Sequence, residues 1–244
     1  MTTHSAEEVQ ANYVECLGEE LGSKLYWLSN AVTNLHLEWK LYKELFCSGS
    51  ERVGELNKAS GLVSFFLSKT LYESVVLGIS RVTDPAETGR GVGAKPNLSL
   101  LQLKSELPPE LQTEYEELCS QAKDKAEFAR DARNKMIAHA DLWVATKERP
   151  VDAGTPTKVD VALEAIRDAI SFIDHNLRNT TVIYDDFCGP LDNHMSFLRS
   201  LYLGNLKWSQ HLAAIKAAQK KCDWKKVDEL DSSIDLPGWI YGEN

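Results

Sequence analysis

The stretch Arg130-Asp131-Ala132-Arg133-Asn134-Lys135-Met136-Ile137-Ala138-His139-Ala140-Asp141 places two guanidiniums, an ammonium and an imidazole within ten residues. A guanidinium offers phosphate a planar fork of donors, and an imidazole with a pKa near ~6.5 exchanges a proton at neutral pH. Together they suit chemistry on a phosphodiester. The plainer reading of the same residues is a solvated helix face, with Arg133 and His139 paired to Asp131 or Asp141. Arg130 and Lys135 are either surface cations or contacts to a phosphate substrate.

Geometry sets a condition on the catalytic reading. On one unbroken helix, a six-residue separation turns Arg133 and His139 about 120° apart and moves them about 9 Å along the axis. One chain then presents them poorly to a single atom. Two chains about a two-fold axis, the commonest oligomer symmetry, bring two arginines and two histidines around one phosphate. A local helix break near Met136 is the other way to join them.

The elements that must carry this stretch read as helices. Leu25, Leu28, Val32, Leu35, Trp39, Tyr42 and Phe46 form a seam at spacings of three and four, after a shorter leading helix divided off near Gly22-Ser23. A second helix from Glu51 to Ile79 carries Val63, Phe66, Leu67, Leu71, Val75, Val76 and Ile79, a band wide enough to predict burial on several sides. Asp84-Pro85 and the run Glu87 to Gly93 break the pattern and predict an exposed loop. Asn97 or Ser99 then caps a short helix over Leu100 to Glu106, and Thr83, Asp84 and Asn97 are expected to cap helices and close the loop. Pro108-Pro109 opens the helix whose seam, Leu111, Tyr115, Leu118, Ala122, Ala126 and Ala129, leads into Arg133. After Pro150, Gly154 and Pro156, Asp160 is a candidate cap for a helix through Ala162, Ile166, Ala169, Ile173 and Leu177. Beyond Gly189-Pro190 come shorter helical pieces around Met195–Tyr202, Trp208–Lys221 and Trp224–Leu230, and Thr180–Tyr184 is a weak strand candidate. The fold class expected is all-α: residues 1–186 an antiparallel four-helix bundle, residues 187–244 a helical C-terminal extension.

Composition excludes several classes. Of 244 residues, 43% are apolar and 26% charged, the balance of an ordinary soluble protein, and the net charge of −9 argues against non-specific coating of nucleic acid. The N-terminus has no cationic start or apolar run, and no uncharged apolar stretch of membrane-spanning length follows. A cytoplasmic protein without a membrane partner is expected. The five cysteines are scattered with no Cys-x-x-Cys pair, so they read as reduced thiols. No zinc motif or P-loop occurs, and no metal or other cofactor is expected. His36, His175, His194 and His211 read as core or surface histidines.

Arg133-Asn134-Lys135-Met136-Ile137-Ala138-His139 resembles the signature of HEPN domains: an Arg followed by a polar residue, then intervening residues and a His. The wider context is similar to the abortive-infection AbiU-type branch. Ile79-Ser80-Arg81-Val82-Thr83-Asp84-Pro85, Asn97-Leu98-Ser99-Leu100 and Ala132 through Asp141 follow in the same order and spacing. This resemblance, over roughly Leu21 to Tyr184, implies a HEPN-like four-helix bundle and a dimeric, metal-independent ribonuclease of a toxin–antitoxin or anti-phage defence system. It implies an RNA substrate and an antitoxin or sensor protein as partner. One His139 would take the proton of a ribose 2′-hydroxyl while a second protonates the 5′-oxygen. Arg133 would stabilise the phosphorane-like charge, Asn134 would orient phosphate or His139, and Asp141 would hold His139 in one tautomer. The alternative is a non-catalytic HEPN-like module that binds a partner protein or nucleotide in a defence complex. For that module, either a pocket elsewhere is expected, or Arg133 in a salt bridge and His139 buried.

Overall fold

The computed structural model describes residues 5–89, 91–137, 146, 152, 154–184 and 194–233. The chain divides into two compact units. Unit 1 comprises Met1–Glu44 and Phe66–Cys188, and unit 2 comprises Leu45–Phe65 and Gly189–Asn244. Where the sequence places everything to residue 186 in one bundle, the structure groups residues 45–65 with the C-terminal region.

Unit 1 is all-α. Helix α1 (Ala6–Leu17) starts at a capping box in which Ser5 and Glu8 bond each other's backbone amides. It ends at Gly18, whose φ of +82° suits glycine, and α2 (Glu19–Tyr42) follows at once. The break is therefore at Gly18 and not at Gly22-Ser23. Gly22 lies inside α2, where a Cβ would stand 2.8 Å from the Val14 Cα. Its lack of a side chain lets the two helices cross closely. The α2 seam is buried as its spacing predicts, with Leu25, Leu28 and Val32 fully inaccessible. A π-helical turn, Lys43–Cys47, follows it.

Helix α3 runs from Ser50 to Val82 but leaves helical geometry at Ser60, whose hydroxyl accepts from the Val63 amide and so caps the piece that follows. Val75, Val76, Ile79 and Val82 enter the core of unit 1, whereas Leu62, Val63, Phe65 and Phe66 are exposed. The expectation of a band buried along its whole length thus fails at its first turns, because periodicity shows which residues are apolar and not what covers them. By length and composition α3 also contains a window able to cross a membrane, at mean hydropathy 1.4. The same helix carries Lys69 and Glu73, paired at 3.8 Å.

The loop after α3 holds a two-residue antiparallel pair, β1 (Glu87–Thr88) with β2 (Lys95–Pro96), in a run read from the sequence as loop alone. Thr180–Tyr184, the weak strand candidate, is irregular. Helix α4 (Leu100–Leu103) continues as a 3₁₀ turn to Glu106. Helix α5 (Pro109–Lys125) starts on Pro109 as expected and leads through Ala126 into α6 (Glu127–Ala132). Helix α7 (Pro156–Arg178) is capped by the Thr155 hydroxyl on the Lys158 amide. Asp160 is not its cap; its carboxylate accepts from Trp39 Nε1 and Lys43 Nζ, each at 2.7 Å, and ties α7 to α2. The core joins α1, α2, the later part of α3, α4, α5, α6 and α7 through side chains such as Tyr115, Leu103, Leu163 and Ile170.

In unit 2, α8 (His194–Lys220) is one helix through Gly204, where the sequence suggests two pieces, and α9 (Trp224–Asp231) packs beside it. An interior glycine costs about 1 kcal/mol relative to alanine and does not by itself end a helix.

Candidate functional site

Side-chain bonds from Arg130 to Thr83 and from Arg133 to Asp84 tie the Arg130–Arg133 segment to the end of α3 and the loop after it. Ala126, Ala129 and Ala132 are buried, so the helix carrying the arginines lies close against its neighbours. Its last described turn, Arg133–Ile137, is π-helical. Such a turn is rare and frequent at functional sites, and it underwinds the helix, so Arg133 to Ile137 depart from the geometry of an unbroken α-helix.

Arg133 donates through Nη1 to both oxygens of Asp84, at 2.8 and 3.0 Å. Its Nε donates to Asn134 Oδ1 at 3.1 Å. The Arg133 side chain keeps 25% of its surface in water, so the guanidinium is oriented without being sealed. Arg130 faces inward: Nη1 donates to Thr83 Oγ1 at 3.0 Å, and Nη2 to the carbonyl of Lys123. Burial pulls its pKa below the usual arginine value, with the neighbouring Arg133 charge adding to the effect. The Thr83 hydroxyl in turn donates to the Ile79 carbonyl at 2.8 Å. Lys135 pairs with Asp131 at 2.5 Å, and Asp131 also accepts from the Asp152 amide at 3.1 Å.

Thr83 and Asp84 therefore grip the two arginines, beyond the capping and loop-closing role expected for them. Asn97 does close the loop, donating 2.8 Å bonds to the Pro85 carbonyl and Thr88 Oγ1. Ser99 occupies the cap position of α4 but makes no side-chain cap bond. Asp84 is the residue that reading for chemistry passed over. Its signal was the Thr-Asp-Pro segment recurring beside the Arg motif in the family resemblance. His139 and Asp141 lie outside the described residues, as does Cys188.

A cavity of about 730 Å³ opens beside this turn, lined by Arg130, Asp131, Asn134, Lys125, Lys158 and Asp124 among others. Glu127 and Asp152 also reach it, so carboxylates outnumber cations along the wall. Arg133 is not part of its lining. Among the described residues no cluster of His, Cys, Asp and Glu has the arrangement of a metal site. His36 is buried and stacks on Tyr184 at 5.5 Å, and His211 stacks on Trp208 at 5.6 Å. His175 is exposed. Cys16, Cys47, Cys119 and Cys222 are free thiols.

The family comparison covers both the loop and the arginine turn. The HEPN AbiU2 family matches residues 18–194. No curated protein and no solved structure matches the chain. The matched span takes in most of the sequence, including Asp84, Arg133 and His139, and the chain belongs to the AbiU2 family of HEPN domains.

Proposed function

We propose that this protein is a metal-independent RNA endonuclease of the toxin or anti-phage defence type, acting as a homodimer. Its HEPN domain is compatible with an RNase-like or defence-associated module. The observation that carries the finer reading is Arg133, which stands in the family's motif on a π-helical turn and is fixed by Asp84 with its guanidinium still partly in water. A cation fixed in advance stabilises charge that develops in a transition state more than one that must reorganise. His139 takes the 2′-hydroxyl proton as that oxygen attacks phosphorus. The His139 of the second subunit protonates the departing 5′-oxygen, leaving a 2′,3′-cyclic phosphate and a 5′-hydroxyl. Asn134 orients the site through Arg133 Nε. Lys135 supplies a cation for the substrate backbone, and Asp141 holds His139. Arg130, bonded inward to Thr83 and the Lys123 carbonyl, takes a structural part.

The test is end-labelled single-stranded RNA in excess EDTA, beside the same strand with 2′-deoxy sugars. Cleavage of the first alone, with cyclic phosphate ends, is the expected result. A single 2′-deoxy position that is still cut removes the mechanism.

One observation favours a second reading, a non-catalytic module binding a partner protein or nucleotide. Arg133 is engaged in an ion pair, and the adjoining cavity is rich in carboxylates, which repel phosphate. Under this reading, well-folded protein binds its partner through that cavity and leaves RNA intact.

A further inference from the structure

Helix α8 keeps an apolar stripe in water. Phe197, Leu201, Trp208 and Leu212 recur at spacings of four and seven, which puts them within about 60° of one another around the helix. Phe197 is 47% and Trp208 51% exposed, and Gly204 between them adds no side chain. The same helix carries Arg199, Lys207, Lys216 and Lys220 and no acidic residue. Such a stripe suits a cover that is both apolar and acidic.

The chain itself brings such a segment to the place. Three residues join α8 to α9, so α9 runs back along α8. Val227 and Leu230 are half-buried beside a face of α8 on which Ala218 is buried and His211 and Ile215 are half-buried. That face stands about 60° around the helix from the stripe, and α9 ends near the level of His211, heading towards Phe197. Eleven residues follow Ser233: Ile234, Leu236, Trp239, Ile240 and Tyr241 are apolar, Asp235 and Glu243 are acidic, and none is Lys or Arg. An extended chain advances ~3.3 Å per residue against ~1.5 Å for a helix. Without any reversal of direction, Asp235 then comes level with Lys207, and Trp239 with Phe197 and Leu201.

We infer that the stripe on α8 is the docking site of the chain's own residues 234–244, seated by Leu236 and Trp239 and steered by Asp235 towards Lys207. A tether this short holds the segment at millimolar effective concentration, so a contact too weak to retain a free peptide suffices. The inference concerns unit 2 alone and does not depend on the chemistry assigned to Arg133.

The test is oxidative footprinting of the full-length protein at nanomolar and at tens of micromolar concentration, with mass determined in parallel by sedimentation. In the wild type, modification of Phe197 and Trp208 is expected to be severalfold lower than in Leu236→Asp and Trp239→Asp, at both concentrations and with the mass unchanged by the substitutions. The reciprocal variants Phe197→Asp and Lys207→Glu are expected to raise modification of Trp239 severalfold. Phe197 and Lys207 are exposed, Leu236 and Trp239 follow α9 in the sequence, and circular dichroism checks that helix content is kept. Variants on both sides of the contact keep the test standing if one misfolds. Equal modification of Phe197 and Trp208 in the wild type and both tail variants overturns the inference. Protection that appears only as concentration and mass rise assigns the cover to a second copy and overturns it equally. So does protection that appears only with phosphatidylserine vesicles, which assigns the stripe to a membrane.

Discussion

Asp84 engages both of its carboxylate oxygens with a single nitrogen of Arg133, Nη1, across 49 residues of sequence and at 2.8 and 3.0 Å. The contact ties the loop after α3 to the π-helical turn and fixes the direction of the guanidinium. Asp84→Asn removes the charge while keeping the shape. It should lower kcat on RNA about 100-fold with KM changed far less, the usual consequence of a reacting group misplaced by about 1 Å. Both partners are mostly covered, so stability should fall by about 1–2 kcal/mol in urea. Unchanged turnover, or a rise, would mean that Asp84 masks Arg133 instead of aiming it.

Arg130 is expected to behave differently from Arg133. Its bonds run to Thr83 and to the Lys123 carbonyl, both inside the same fold. Arg130→Ala should destabilise by about 2 kcal/mol by leaving those acceptors without their donor. Urea titration measures the loss, and any activity deficit should track the fraction unfolded.

Gly22 tests the crossing of α1 and α2. A methyl there would lie 2.7 Å from the Tyr13 carbonyl carbon and 2.8 Å from the Val14 Cα, and backbone cannot swing away as a side chain can. Gly22→Ala should therefore cost about 1–3 kcal/mol despite alanine's better helix propensity. Thermal unfolding compared with Gly204→Ala, where no atom lies near the new methyl, isolates the crowding.

Asp174 gives a pH dependence with a definite sign. The residue is fully buried at the end of α7, and burial pushes its pKa up more than the 2.6 Å bond to Arg178 pulls it down. A carboxyl whose folded pKa is raised holds its proton more tightly when folded. Its stabilising contribution is complete below the ordinary carboxyl value of about 3.9 and is lost as pH rises through the folded pKa. Unfolding free energies measured upward from about pH 4 should show this loss in the wild type and not in Asp174→Asn. The opposite slope would mean that the Arg178 pair dominates.

How much of this was legible in the sequence depends on the range of the interaction. The α2 seam from Leu25 to Trp39 and the α7 seam from Ala162 to Ile173 are buried as their spacing predicts, because helical periodicity is local. The Arg133 motif was legible from its resemblance to the HEPN signature, together with the Thr-Asp-Pro and Asn-Leu-Ser-Leu segments, and the family match over residues 18–194 bears that recognition out. Asp84 and Asp160 were assigned local capping roles, and both turned out to serve partners far away in the chain, Arg133 and the pair Trp39 and Lys43. Nothing within a helical turn of either residue encodes those distances. The exposed Leu62 to Phe66 run misled in the other direction, since an apolar stripe states a need for cover without naming its source. The π-helical turn has no pattern of its own, and His139 lies beyond the described residues.

The most direct measurement is cleavage of end-labelled RNA in excess EDTA by wild type, Arg133→Ala and His139→Ala, each shown to be folded and of the same oligomeric mass. The account predicts 2′,3′-cyclic phosphate ends from the wild type, with rates falling by at least about 100-fold in both variants. Cutting that survives His139→Ala at the wild-type rate would contradict it. So would folded, dimeric wild type that cuts no RNA and causes no toxicity when expressed in cells.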